Sequence, residues 1–89
     1  MRKQMKRTVM KYVCEEMKKT RAYLSMTQAE MAAQLGISTR GYRNLEAGRS
    51  CCGLLTLLLF WKRCCLDRET FLYGLWEAIE TAEYSEFIE

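Results

Sequence analysis

The stretch from Thr27 to Gly48 contains residues typical of the start and the end of one helix and of the start of the next. Thr27 and Glu30 form a capping box, in which the threonine hydroxyl and the glutamate carboxylate each accept a hydrogen bond from the other residue's backbone amide. Gly36 ends that helix because glycine takes the left-handed conformation that other residues resist. Ser38 can cap a further helix, which Gly48 ends. The sequence therefore predicts two short helices joined by a tight turn.

Helical spacing of apolar residues continues along the chain, and the sustained period-2 alternation that marks strands is absent. A first helix is predicted over about residues 4–23, a fourth from near Gly53 to about Cys64, and a fifth from near Asp67, a good N-cap. Gly74 predicts a kink or a break in the fifth helix. The packing residues are Met5, Val9, Tyr12, Val13 and Met17 in the first helix, Ala29, Met31, Ala32 and Leu35 in the second, and Leu72, Leu75, Trp76 and Ile79 in the fifth.

Length and charge bound the classes of protein to which the chain can belong. Its 89 residues allow one compact domain, and 49% hydrophobic residues fit a globular chain. Residues 1–50 carry eleven basic and four acidic side chains, whereas residues 51–89 carry three and seven. The basic front half indicates an anionic partner.

No apolar run is long enough to span a membrane, and no apolar signal core follows the basic start, so we expect a cytoplasmic protein.

The composition argues against catalysis and metal binding. The chain has no histidine, which removes the commonest general base and the commonest metal ligand. It also lacks a glycine-rich phosphate loop, paired carboxylates in a plausible cleft and an activated nucleophile. We therefore expect no enzymatic activity, no cofactor and no metal site.

Four of the five cysteines form two adjacent pairs, Cys51-Cys52 and Cys64-Cys65. In a cytosolic chain they are most simply free, packed thiols. A helix over residues 52–64 would hold the pairs about 18 Å apart, which zinc–sulfur bonds of about 2.3 Å do not bridge. Redox sensing stays open as an alternative, with Cys51 or Cys52 as the better sensor because a helix start favours the thiolate.

The third helix, predicted over residues 39–47, divides into two faces. Tyr42 and Leu45 lie on a packing face, and polar side chains centre on the opposite face. Arginine can bond both acceptors of guanine, asparagine can bond adenine bidentately, and threonine can touch a thymine methyl group. The nearest carboxylate, Glu46, lies only on the margin of this face. The polar side chains are Thr39, Arg40, Arg43 and Asn44.

These residues resemble the Cro/repressor-type helix-turn-helix family of phage and bacterial regulators. The similarity covers roughly residues 9–73, and the residues at the family's spacing are Gln28, Ala32, Gly36, Leu45, Glu46 and Gly48. The resemblance implies an all-α, five-helix, lambda-repressor-like DNA-binding domain over residues 1–89, with residues 74–89 as a helical extension. Tyr42 stands where the family usually packs an isoleucine or valine, and Gly41 lies inside the third helix.

The resemblance also implies roles for single residues. It predicts that Gln28 contacts a DNA phosphate. It predicts that Thr39, Arg40 and Asn44 read bases, with Arg43 beside them. The loop residues Arg49 and Ser50 are predicted to contact the DNA backbone. Arg21 and Ser38 complete the predicted DNA-binding set. Family members commonly bind as dimers to two-fold sites whose half-sites lie about one helical turn apart.

The prediction is thus a sequence-specific, double-stranded-DNA-binding regulator, expected to be a repressor that binds a palindromic operator as a homodimer. The alternative is a protein-interaction module, such as an antitoxin or a phage regulatory adaptor. It would bind another polypeptide through the apolar helix over residues 54–61 and the C-terminal helix.

Three segments leave alternatives open. Residues 54–61 are apolar nearly all round, which fits either a central helix buried beneath the C-terminal helix or a homodimer interface. The glutamate-rich tail, residues 67–89, either covers the fourth helix away from DNA and pairs subunits, or packs on its own chain. The basic start is either a solvated helix start or an arm, frayed until DNA is present, that attracts phosphates through Arg2, Lys3, Lys6 and Arg7.

Overall fold

Five α-helices make up the described part of the chain. The structure is a computed structural model that describes the backbone of residues 2–88 and the side chains of residues 3–84. Within that backbone there is no strand, which confirms the all-α prediction. None of the described helices is both long and apolar enough to cross a membrane. The helices are α1 (Arg2–Tyr23), α2 (Gln28–Leu35), α3 (Thr39–Glu46), α4 (Leu54–Arg63) and α5 (Arg68–Ile88).

The turn between α2 and α3 is formed by the predicted caps. The Thr27 hydroxyl accepts from the Glu30 amide at 3.1 Å, and the Glu30 carboxylate accepts from the Thr27 amide at 2.8 Å. Gly36 has a φ of 69°, the left-handed conformation that ends α2. The Ser38 hydroxyl then accepts from the Gly41 amide at 3.0 Å and starts α3. These hydrogen bonds and the Gly36 turn keep α2 and α3 only three residues apart along the chain.

A single core connects all five helices. The predicted stripe of α1 is buried at Val13 and Met17, and α2 packs on α3 and α4. Ala29, expected among the packing residues, is exposed because it lies about 120° from Leu35 around the helix axis. The central buried residues are Val13, Met17, Met31, Ala32, Leu35, Tyr42, Phe60 and Phe71.

The long helix α5 packs chiefly along α1 and only lightly on α4. Leu72 and Trp76, expected among its packing residues, are exposed because they lie about 100° and 140° from the buried Phe71 around the helix axis. The Tyr12 hydroxyl donates to the Phe71 carbonyl oxygen at 2.9 Å, and the two rings stack with centroids 5.6 Å apart. The tail thus packs on its own chain. It meets α4 edge to face at Phe60 but leaves three leucines of that helix exposed, so the expectation that it covers the fourth helix is wrong because most of α5 lies along α1. Pairing of subunits through the tail stays a prediction.

Gly74 does not break α5, which is continuous from Arg68 to Ile88. A Cβ atom at this position would lie against the phenol group of Tyr12. The glycine therefore permits the close approach of α1 and α5, and the expected break is wrong because the glycine serves packing between helices. A kink at this position stays a prediction.

We expect Gly74→Ala to lower the free energy of unfolding by about 1–3 kcal/mol, because the added methyl group must displace Tyr12 from its hydrogen bond to Phe71. Urea denaturation measures this loss. Thr81→Ala, at an exposed position of the same helix, is the control and should change stability by less than about 0.5 kcal/mol. Alanine favours helix more than glycine does, so without this close contact the substitution would stabilise the protein. A Gly74→Ala protein at least as stable as the wild type would therefore contradict the contact.

The fourth helix buries only Phe60 fully. Leu54, Leu55 and Leu58 are 74%, 69% and 46% exposed. The expectation of a central, deeply buried fourth helix is therefore wrong, because α5 lies along α1 and leaves one side of α4 uncovered. We call these three leucines the leucine patch. The homodimer interface expected at this helix stays a prediction.

Candidate nucleic-acid interface

The short helix α3 turns its apolar face into the core and its polar face outward. Tyr42 is 0% exposed and Leu45 is 5% exposed. The guanidinium-bearing residues Arg40 and Arg43 are exposed on the opposite side, where Thr39 and Asn44 are half-buried. The two faces predicted from the sequence are confirmed. We call these four polar residues the α3 face, a set composed of Thr39, Arg40, Arg43 and Asn44.

The loop after α3 begins with a sharp turn. Gly48 has a φ of 75°, and the Arg49 amide donates to the Asn44 carbonyl oxygen at 2.8 Å. This turn leaves the side chains of Arg49 and Ser50 exposed just beyond the helix. The predicted loop residues therefore lie next to the α3 face. Within the described residues, neither side chain forms a hydrogen bond.

A bidentate ion pair joins α1 to the end of α3. The Arg21 Nε and Nη2 atoms donate to the two carboxylate oxygens of Glu46 at 2.8 and 2.9 Å. The Arg21 side chain is 22% exposed and the Glu46 side chain is 6% exposed. A third donor, Nη1 of Arg21, bonds the Met26 carbonyl oxygen at 3.0 Å. The guanidinium is thus held against the protein, and DNA contact by Arg21 stays a prediction.

The same carboxylate orients two predicted DNA-binding residues. Gln28 Nε2 donates to Glu46 at 3.3 Å, and Arg43 Nε donates to the Gln28 side-chain oxygen at 3.2 Å. Hydrogen bonds therefore run from Arg21 through Glu46 and Gln28 to Arg43. This network was missed from the sequence, where Arg21 and Glu46 stood at positions typical of the family but nothing linked them. It also pairs the Glu46 carboxylate with Arg21, which neutralises the negative charge beside the α3 face.

Ser38 and Tyr42 hold α3 in place, the first as a cap at its start and the second on its buried face. The Ser38 hydroxyl is occupied as a cap, and a Cβ on Gly41 would lie 3.1 Å from it, so glycine relieves crowding there. The Tyr42 ring is fully buried in the core. Its buried hydroxyl lacks a hydrogen-bond partner within the described residues, and burial raises its pKa, so it stays uncharged.

Electrostatics keep Glu46 ionised. Burial opposes ionisation, but hydrogen bonds and charge from Arg21 outweigh it and lower the pKa of Glu46 below its ordinary value of 4.5. The pair raises the pKa of Arg21. The interface therefore carries a fixed ion pair at neutral pH.

We expect the ion pair to stabilise the fold fully above pH 4.5 and to lose its contribution as pH falls through the lowered pKa of Glu46, because the unfolded chain then binds the proton more readily. Glu46→Gln removes the charge at similar shape. The difference in unfolding free energy between wild type and this variant should shrink as pH falls below 4.5, as followed by urea denaturation at several pH values. A difference that stays constant with pH would contradict a stabilising carboxylate at this position.

The basic start of the chain is helical. Residues 2–11 form the first half of α1, which agrees with a helix start, and attraction of phosphates by this segment stays a prediction. The side chains of Lys3, Lys6 and Arg7 are exposed along this helix.

All five cysteines are free thiols, and the described residues hold no cluster of three or more side chains suited to a metal ion. Cys14 and Cys64 are buried and pack in the interior. Burial, with the neighbouring thiols of Cys14 and Cys51, raises the pKa of Cys52 to about 11. The thiolate expected for Cys52 at a helix start is therefore wrong, because burial outweighs the field of the helix. Redox sensing at Cys51 stays a prediction.

Comparison of the chain with protein-family models, with curated proteins and with solved structures finds no match. The candidate interface consists of the outward α3 face, the hydrogen-bond network behind it and the exposed loop beside it.

Proposed function

We propose that this protein is a sequence-specific, double-stranded-DNA-binding regulator that inserts α3 into the major groove and represses transcription in the cytoplasm by occupying a promoter. The α3 face carries the proposal, because it presents two arginines, an asparagine and a threonine outward while Tyr42 and Leu45 anchor the back of the helix. These side chains match the donor and acceptor patterns of base edges.

The network behind the face supports the same proposal. Arg21 and Glu46 are held by two hydrogen bonds, and Gln28 links them to Arg43. A braced side chain loses less conformational entropy when it binds, which favours specific recognition. Gln28 stands at the first residue of α2, where the backbone amides and the helix dipole attract a phosphate.

Selection of bound sequences from a random duplex pool tests the proposal directly. Enrichment of one sequence, followed by a mobility shift that this sequence causes and a scrambled duplex does not, supports specific binding. An unenriched pool and no shift at low salt would refute it. Affinity should also fall steeply with salt concentration, because phosphate contacts release counterions.

We further propose a homodimer formed through the leucine patch. Three exposed leucines lie together near the start of α4, and such a patch is typical of an interaction surface. Leu55→Glu should then reduce the native mass to that of the monomer and weaken binding to a palindromic duplex more than to a single half-site. A wild-type monomer in native mass measurements, together with an enriched sequence that lacks two-fold symmetry, would refute the dimer.

A second function, binding to another polypeptide, is favoured by one further observation. The helix α5 leaves a stripe of large side chains exposed at Leu72, Tyr73, Trp76 and Tyr84. A monomer that ignores DNA but forms a stoichiometric complex with a different polypeptide would support this function over DNA binding. Native mass with and without duplex DNA separates the two.

A further inference from the structure

An open pocket of about 510 Å³ lies between one face of α1, from Lys3 to Lys18, and the loop that follows α3. Its volume falls in the range of small-molecule sites, about 300–1,000 Å³. The side chains of Met10, Cys14 and Cys51 contribute apolar and sulfur surface to its lining, together with residues 46–50. The face of α1 that lines this pocket differs from the one that packs on α5 through Tyr12.

Basic side chains dominate the charge around the pocket. Its two carboxylates are Glu15 and Glu46, and Glu46 is neutralised by Arg21. Within the described residues, none of the basic side chains that line it forms a hydrogen bond or an ion pair. The pocket is therefore strongly cationic and its charges are free to bind an anion. These basic residues are Lys3, Lys6, Arg7, Lys11, Lys18 and Arg49.

We propose that this pocket binds a small organic anion with an apolar body, such as an aromatic carboxylate. The basic side chains attract the anionic group, and the surface of Met10 and Cys51 accommodates the apolar body, with the nearly buried Cys14 behind them. A bare inorganic anion would leave that surface wet. A DNA backbone would reach the basic residues but would bury little of the apolar lining, so a small molecule fits the pocket better.

The position of the pocket connects it to DNA recognition, a consequence that rests on the proposed function. Its lining includes Arg49 and Ser50, the predicted backbone-contacting residues, and also Glu46, which orients Gln28. A bound anion would place negative charge beside the phosphates that this loop contacts. The ligand therefore lowers affinity for DNA and acts as an inducer.

Methionine methyl groups report binding in the absence of DNA. Met10 lines the pocket, while Met17 and Met31 are fully buried in the core and serve as internal references. We expect a titration with 1-naphthoate, followed by NMR of ¹³C-methyl-labelled methionine, to shift the Met10 signal saturably and to leave Met17 and Met31 in place. Met10→Leu identifies the signal by removing it.

Two matched charge reversals show where the anion binds. Lys6→Glu lies in the pocket and should weaken 1-naphthoate at least threefold, roughly the effect of reversing one charge near a bound anion in water. Lys62→Glu makes the same change at an exposed position on α4, outside the pocket, and should leave binding unchanged. Equal weakening by both variants would overturn the site.

Titrations with inorganic phosphate and with random duplex DNA distinguish binding of an organic anion from a general affinity for phosphates. A Met10 signal that does not move, that moves equally with inorganic phosphate, or that moves with random duplex DNA but not with 1-naphthoate would each overturn the proposal. The test does not depend on the proposed function. A protein that binds 1-naphthoate but no DNA refutes the regulator alone, and one that binds DNA without a Met10 response to 1-naphthoate refutes the ligand pocket alone.

Discussion

Replacing Arg40 with alanine is expected to weaken binding to the selected duplex by about 5- to 150-fold, the equivalent of about 1–3 kcal/mol for one bidentate base contact. Arg40 is exposed on the α3 face, and its side chain forms no hydrogen bond within the described residues, so its donors are free for a base. Affinity for a scrambled duplex should fall far less, because that binding depends on phosphates. Fluorescence anisotropy with both duplexes measures the ratio. Asn44→Ala should relax preference at a different base pair.

Two comparisons make the Arg40 result specific. Arg63→Ala removes the same charge from α4, where the side chain bonds the Gln34 carbonyl oxygen, and should leave the specificity ratio unchanged. Gln28→Ala should weaken binding to both duplexes, because its predicted contact is a phosphate, and should lower the specificity ratio less than Arg40→Ala does, since it also removes the hydrogen bond that Arg43 donates. If Arg40→Ala lowered affinity for both duplexes by the same factor, base reading by Arg40 would be wrong and the residue would contact only the backbone.

Phe60→Ala is expected to lower the free energy of unfolding by about 3–5 kcal/mol, the usual cost of emptying a core site of this size. Phe60 is fully buried and meets Phe71 edge to face with ring centroids 5.4 Å apart. A domain of this length has a total stability of about 5–15 kcal/mol, so the variant should be largely unfolded under mild heating. Thermal and urea denaturation followed by circular dichroism measure the change.

Leu55→Ala is the matched control on the same helix. Leu55 is 69% exposed in the single chain, so its truncation should cost less than about 0.5 kcal/mol at low protein concentration. A larger loss that grows with protein concentration would instead support dimerisation through the leucine patch, since association stabilises the folded state by mass action. Equal losses for Phe60→Ala and Leu55→Ala at low concentration would contradict the observed orientation of α4.

The candidate site could be predicted from the sequence where its structure depends on neighbours along the chain. The capping box of Thr27 and Glu30 and the cap from Ser38 each involve residues three apart, so side-chain chemistry alone decides them. The division of α3 into two faces follows from the helical period, given that Tyr42 and Leu45 are its large apolar residues. The functional assignment stays a prediction.

Other features depend on residues that are distant in sequence. The ion pair of Arg21 with Glu46 joins positions 25 apart, and the bond from Tyr12 to Phe71 joins positions 59 apart. Periodicity shows that a residue lies on an apolar or polar face, but it does not show which face of another helix it meets. The break expected at Gly74 was wrong for this reason, because the phenol group that requires a glycine there comes from α1.

The amino-acid sequence alone determined where helices begin and end and which side of α3 faces water, because caps, turns and helical period act over a few residues. Only the tertiary structure decided that α5 lies along α1, that the leucine patch stays uncovered, and that a cationic pocket opens beside the loop after α3. Several helix faces are apolar enough to pack against one another. Their pairing is decided by the shape and volume of the whole core, which no local segment contains.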